Sequence, residues 1–110
     1  MHPEPMIIRM WRGFASRKAQ DAYPRHLLET VRPKLEGIPG FRGFYLLRRD
    51  QSDEVEYQVV TMWESMEAVR AFAGDHPECA VVEPEAAAVL TRFDDKVRHY
   101  DVLASPTIDS

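Results

Sequence analysis

The sequence predicts an α+β domain whose elements run β-α-β-β-α-β, with a four-stranded antiparallel sheet. Three observations carry that expectation. Four stretches rich in β-branched and aromatic residues read as strands. Two stretches between them repeat apolar residues every three or four positions, the period of an amphipathic helix. A short polar loop, Asp50-Gln51-Ser52-Asp53, joins the middle two strands as a hairpin. At 110 residues the chain suffices for one core and is too short for two. A single domain over residues 6–104 follows, with polar, Pro-containing ends at 1–5 and 105–110 expected to be loose.

The first strand is Met6 to Ala15 (MIIRMWRGFA). From Ser16 to Ile38, Tyr23, Leu27, Val31 and Leu35 recur every four residues, and Leu28 and Ile38 widen the stripe. Pro33 is expected to break this helix, because it lacks a backbone donor and disfavours a helical residue before it. Pro24 leaves two readings: a kink, or a helix starting near Asp21 with Pro24 in its first turn. Phe41 to Arg49 is the second strand and Val55 to Trp63 the third. Ser65 is a good N-cap for the second helix, Glu67 suits its first turn, and Gly74 ends it. Met66, Val69, Phe72 and Ala73 form its apolar side. Pro77 to Val82 and Pro84 to Thr91 read as short helical pieces, and Val97 to Ala104 as the last strand.

This order is the ferredoxin-like split βαβ pattern, with both helices on one face of the sheet. Along the third strand, Val55, Tyr57, Val59, Thr61 and Trp63 share one face and Gln58, Val60 and Met62 the other. Both faces carry apolar groups. If the helices cover the Trp63 face, Val60 and Met62 need another cover, since burial is favoured by roughly 25 cal/mol per Å². A homodimer, sheet against sheet, is expected.

Composition narrows the function. Lys+Arg of 14 against Asp+Glu of 18 gives a net charge of −4, so no basic stripe for nucleic acid is expected. The lone Cys79 forms no intrachain disulfide and fits a reducing compartment. No apolar run approaches the ~20 residues of a membrane span, and MHPEPM is unlike a signal peptide, so a cytoplasmic protein is expected. No Gly-rich phosphate loop, nucleophile elbow or dinucleotide fingerprint is present. His76 and Cys79 lack further ligands at usable spacing, and Glu78, Glu83 and Glu85 read as solvated helix positions, so no metal site is expected. The arginines read as surface charge.

The segments MIIRMWRG, IPGFRGFYLLRR and TMWESMEAVRAFAGDHP together resemble the antibiotic biosynthesis monooxygenase family of dimeric α+β barrel proteins, over about residues 6 to 103. The turn Ile38-Pro39-Gly40-Phe41 and the junction Trp63-Glu64-Ser65 are its most recognisable marks. The resemblance implies a cytoplasmic homodimer with a pocket between sheet and helices. In several members it implies oxygen chemistry on aromatic substrates or haem without a bound metal or flavin. Members that oxidise polyketide phenols to quinones share the tryptophan at Trp63 but hold Asn, Tyr and Arg where this chain has Val59, Val69 and Glu83. Haem-degrading members hold Asn, Trp and His where it has Trp11, Phe72 and Val81.

Against that pocket, the candidate substrate-binding residues are Trp63, Tyr57, Val59 and Phe72, and the candidate catalytic residues are His76, Tyr23 and His26. Trp63 either stacks on a flat substrate or belongs to the core. Tyr23 and His26, three apart, share a helix face and either trade a proton with a bound phenol or lie at the rim. His76 follows the Gly74 stop at the expected pocket mouth, as a base, a ligand or a cap before Pro77. His99 is expected at the dimer interface. The function that the resemblance implies is a cofactor-independent monooxygenase acting on a small aromatic or quinol-type molecule. The alternative is a non-catalytic dimer binding an apolar ligand or haem, with haem degradation a third reading that lacks a matched ligand.

Overall fold

In the computed structural model, which describes residues 6–105, the first strand lies in the middle of the sheet. The loose ends expected at 1–5 and 105–110 fall, Ser105 apart, outside those residues. Strand β1 (Ile7–Ser16) pairs antiparallel with β3 (Glu54–Trp63) along its whole length, from Ile7 opposite Trp63 to Ser16 opposite Glu54. In turn β3 pairs with β2 (Phe41–Asp50) through the expected hairpin. The other edge of β1 takes two short strands. β4 (Arg92–Phe93) pairs with Gly13 and Phe14, and β5 (Arg98–Asp101) with Ile7 to Met10. The antiparallel α+β architecture is the expected one, its fourth strand position filled by two pieces. Between them the backbone leaves β1 and pairs with the preceding loop instead. Ala80 N–H donates to Asp95 O (2.9 Å) and Val97 N–H to Glu78 O (2.9 Å), around a bridge between Cys79 and Lys96.

That pairing corrects one expectation. Pro77 to Val82 is not helical, because its backbone groups are spent on residues 95–97, a tertiary partner that no local signal reveals.

Helical backbone runs from α1 (Ala22–His26) through a wide π turn (Leu27–Val31) into α2 (Arg32–Glu36). Pro24 falls in the first turn, where its missing donor costs nothing. Pro33 does not break the helix as expected. Just before it Arg32 N–H donates to Leu27 O, five residues back, so the ladder widens around the proline and continues. The widening also explains the stripe: steps of four overshoot an α-helical turn by about 40° each, and one wide turn brings Tyr23, Leu27, Val31 and Leu35 back into line. Tyr23, Leu27 and Leu35 are buried, whereas Leu28, expected to widen the stripe, is exposed.

In α3 (Met66–Ala73), Ser65 Oγ accepts from Ala68 N–H at 3.2 Å, and Gly74 turns the chain away at φ +83°. The last helix, α4 (Pro84–Val89), is shorter than expected. Every helix-facing residue of β3 is buried, as its alternation predicts. Two apolar clusters result. One gathers Tyr23, Leu27, Val55, Tyr57 and Val59, the other Leu35, Trp63, Ala68 and Val69. On the opposite sheet face Tyr45, Leu47 and Tyr100 are exposed beside half-buried Val60 and Met62. Among the described residues no helix is long and apolar enough to cross a membrane.

Candidate active site

A cleft lies between the helix-facing side of the sheet and α1 and α2, with walls drawn from both clusters. Its floor follows from strand alternation, which sends Arg9 and Trp11 of β1 and Val59 and Thr61 of β3 to the same side. Its roof is the stripe of Tyr23, Leu27, Val31 and Leu35 that runs along α1, the π turn and α2, with His26 beside Tyr23. Phe72 of α3 and the segment Val81-Val82-Glu83 close the ends.

Trp11 lies along the floor because Gly13 leaves room for it. A Cβ at Gly13 would stand 2.7 Å from the Trp11 ring. The indole N–H donates to Asp94 O at 2.8 Å, which ties its polar edge. Trp11 packs against Tyr23 at 5.7 Å between centroids, and Tyr23 against Tyr57 at 5.5 Å. Burial pushes the Tyr23 phenol well above its ordinary range, so it stays protonated.

His26 is the least satisfied group. Its side chain is only 10% exposed, and its Nε2 is buried without a hydrogen-bond partner among the described residues. The nearest carboxylate oxygen, Glu83 Oε1, is 3.8 Å away, too long for a hydrogen bond. The other Glu83 oxygen takes Lys34 Nζ at 2.8 Å.

Arg9 is a buried cation, 5% exposed, with the guanidinium 5.8 Å from the Phe72 ring centroid. It donates from Nη1 to Pro77 O and to His99 Nε2 (3.0 Å), and from Nη2 to Cys79 O (3.1 Å). Because a guanidinium only donates, His99 must accept at Nε2 and carry its proton on Nδ1. Burial lowers the Arg9 pKa to about 10, which leaves it charged at neutral pH. Burial, then the Arg9 charge, lowers that of His99.

An aromatic-walled cleft between an antiparallel sheet and its helices is the geometry the sequence resemblance called for. The family model for antibiotic biosynthesis monooxygenase matches residues 6–77 of the 110. The chain belongs to the antibiotic biosynthesis monooxygenase family. Solved structures agree in fold. A putative antibiotic biosynthesis monooxygenase from Bacillus cereus aligns at TM-score 0.61 and 19% identity, over 94% of this chain and 98% of its own. The haem degrader MhuD from Mycobacterium tuberculosis, with two haems bound in its active site, aligns at 0.61 and 24%, over 92% and 99%. The monooxygenase ActVA-Orf6 of Streptomyces coelicolor, in complex with nanaomycin D, aligns at 0.57 and 15%, over 97% and 92%. No curated protein matches.

Within the antibiotic biosynthesis monooxygenase family this cleft departs from the polar patterns set out above. Val59 lines it and offers no donor, Val69 lies in the core beneath α3, and Glu83 brings a carboxylate where an arginine is expected. Val81, at the position expected to hold a haem-ligating histidine, lines the cleft without a donor atom. The residues at the haem-holding positions do not fit a haem iron. Among the described residues no three or more His, Cys, Asp or Glu converge as metal ligands.

Of the seven residues singled out from sequence, four line the cleft: Tyr23, His26, Val59 and Phe72. Three do not. His76 is swung outward by the Gly74 turn, with an 80% exposed side chain and Nδ1 3.7 Å from Glu78. Trp63 is fully buried behind Thr61 and Phe72, donating its indole N–H to Thr61 Oγ1 at 2.8 Å and stacking on Phe72 at 5.9 Å. It backs the wall without forming it. Tyr57 lies behind Tyr23, its hydroxyl donating to Gln20 O. His99, expected at a dimer interface, faces the cleft side of the sheet, because it pairs with Arg9 in register. Trp11 and Glu83 line the cleft at positions the resemblance marked and Thr61 on the face that alternation gave it, whereas Arg9, read as surface charge, is the wall residue that the sequence did not reveal. Alternation from Trp11 places Arg9 on the same apolar face, and that was the available signal.

Proposed function

We propose that the cleft binds a small phenolic or quinol-type aromatic molecule, and that His26 removes its phenolic proton so that the resulting anion is oxidised by dioxygen inside the pocket. In the balanced reaction one oxygen atom becomes the carbonyl oxygen at the ring carbon para to the phenol. The other leaves as water with the hydrogens of that carbon and of the phenol, giving a quinone; a hydroquinone, whose para carbon already bears oxygen, instead passes its two hydroxyl hydrogens and two electrons to dioxygen, giving the quinone and hydrogen peroxide. The chain's own residues contribute orientation, a base and exclusion of water. Trp11, Tyr23 and Phe72 offer flat surfaces for a ring. Arg9 supplies a fixed positive charge towards which an anion is drawn.

The observation that carries this reading is Nε2 of the nine-tenths buried His26 side chain, in an aromatic wall and without a hydrogen-bond partner among the described residues. Oxygen uptake with a panel of hydroquinones and anthrones tests it, with His26→Ala as control. Turnover that the variant loses supports the reading, and no uptake with any member of the panel counts against it. The second reading, a non-catalytic binder of an apolar ligand, draws on Val59, which puts a methyl surface where an amide donor is expected. Tight binding of the same panel without oxygen uptake would favour it.

The sheet face bearing Tyr45, Leu47, Val60, Met62 and Tyr100 supports a homodimer closed sheet to sheet. Sedimentation showing a stable monomer at micromolar concentration would sink that assembly.

A further inference from the structure

The Arg9 guanidinium has five N–H groups. Among the described residues three find acceptors, two backbone carbonyls and the His99 imidazole, and none of these carries negative charge. Among the described residues its Nε–H and one Nη2–H have no acceptor and no carboxylate pairs with it, and it lines the cleft. A cation placed in an apolar wall without a counter-ion is costly, and an incoming anion would complete both its charge and its hydrogen bonds. The carbonyls of Pro77 and Cys79 take hydrogen bonds from the head, and the ring of Phe72 lies 5.8 Å from it.

We propose that Arg9 is the anion anchor of the cleft, selecting aromatic ligands that carry an anionic oxygen, carboxylate or ionised phenol, over neutral molecules of the same shape. His99 is its positioning residue, turning the guanidinium through Nε2 without contacting the ligand. This rests on the cleft being the ligand site, but it is independent of whether oxygen is consumed there.

Calorimetric titration of the full chain under nitrogen tests it. The carboxylate arm compares 2-naphthoate with 2-naphthamide, and the phenolate arm compares 4-nitrophenolate with 4-nitroanisole. At least one anion is expected to bind about tenfold or more tightly than its neutral partner. The arm that shows the preference names the anionic group. In Arg9→Gln the preference of each anion over its neutral partner falls to near one. His99→Phe weakens the preference severalfold, and His99→Gln, whose amide oxygen also accepts, recovers it. Equal affinities in both arms, no binding of either anion, or a preference that survives Arg9→Gln would overturn the proposal. Should Arg9→Gln not fold, the two wild-type comparisons decide it alone. Failure of oxygen uptake leaves this result untouched, so the two readings fail separately.

Discussion

Glu64 donates its backbone N–H to Gly40 O at 2.8 Å, joining the turn before β2 to the junction between β3 and α3. The two sequence marks most diagnostic of the family are therefore one structural unit. Phe41 N–H closes the turn on Ile38 O at 3.1 Å, with Pro39 second and Gly40 third at φ +91°, the type II arrangement. A Cβ on Gly40 would come within 2.7 Å of Ala68 Cβ on α3. Gly40→Ala thus meets both backbone strain and a collision with a helix, and should destabilise by about 2–4 kcal/mol. Urea denaturation is the measurement; a loss under about 0.5 kcal/mol, within the range of neutral surface changes, would refute the tight packing of turn on helix.

Trp63 is fully buried, and its indole N–H has one acceptor among the described residues, Thr61 Oγ1. Thr61→Val keeps the shape and removes that acceptor, stranding the donor at a cost of about 1–3 kcal/mol. Thr61→Ser should retain most of the stability. Thermal melts of the two variants, run side by side, should separate clearly.

His26 presents the opposite balance. Its Nε2 forms no hydrogen bond among the described residues, so replacing the imidazole by an apolar group removes a buried polar atom without orphaning one of them. His26→Leu should melt at or above the wild-type temperature. If the imidazole is the base, the same change should slow oxygen consumption by about 10²–10⁴-fold. A variant that loses activity only because it unfolds would mark His26 as structural.

Stability should depend on His99 below neutral pH. Burial and the facing charge of Arg9 lower its pKa in the fold, with Glu78 acting weakly the other way. In the unfolded chain it takes up a proton near the ordinary value of 6.5, which the folded chain declines until lower pH. The stabilising effect of a neutral His99 is complete above that value and drains away as pH falls towards the lowered folded pKa. Melts between pH 7.5 and pH 5 should show a shallower decline for His99→Gln than for wild type. Parallel curves would remove His99 from the acid response.

What was legible in the sequence was what local chemistry decides. The alternation of Val55 to Trp63, the Ser65 cap and the polar hairpin loop each depend on near neighbours, and each is present. Tyr23 and His26 were legible as a pair because helix geometry alone sets them on one face. Arg9 was not, since its acceptors at Pro77 and Cys79 lie 68 and 70 residues away, and an arginine read in isolation is surface charge. Pro77, at the head of residues 77–82, signalled a helix start, but pairing with residues 95–97 outweighed it. His76 was misplaced because a positive φ at Gly74 sends the chain outward, and a glycine marks a turn without giving its direction.

The central position of β1 has a consequence for assembly. Its ladder to β3 can form once Trp63 is made, whereas the partner of Ile7 on its other edge is Asp101, in the last strand of the sheet. Long-range pairing of this kind is slow and comes late. During synthesis the outer edge of Ile7 to Met10 is therefore an open template for another chain, and Arg9 has none of its three acceptors. Within this fold the strand made first is the last to be covered, and the closing of that edge is also the step that builds the wall of the cleft.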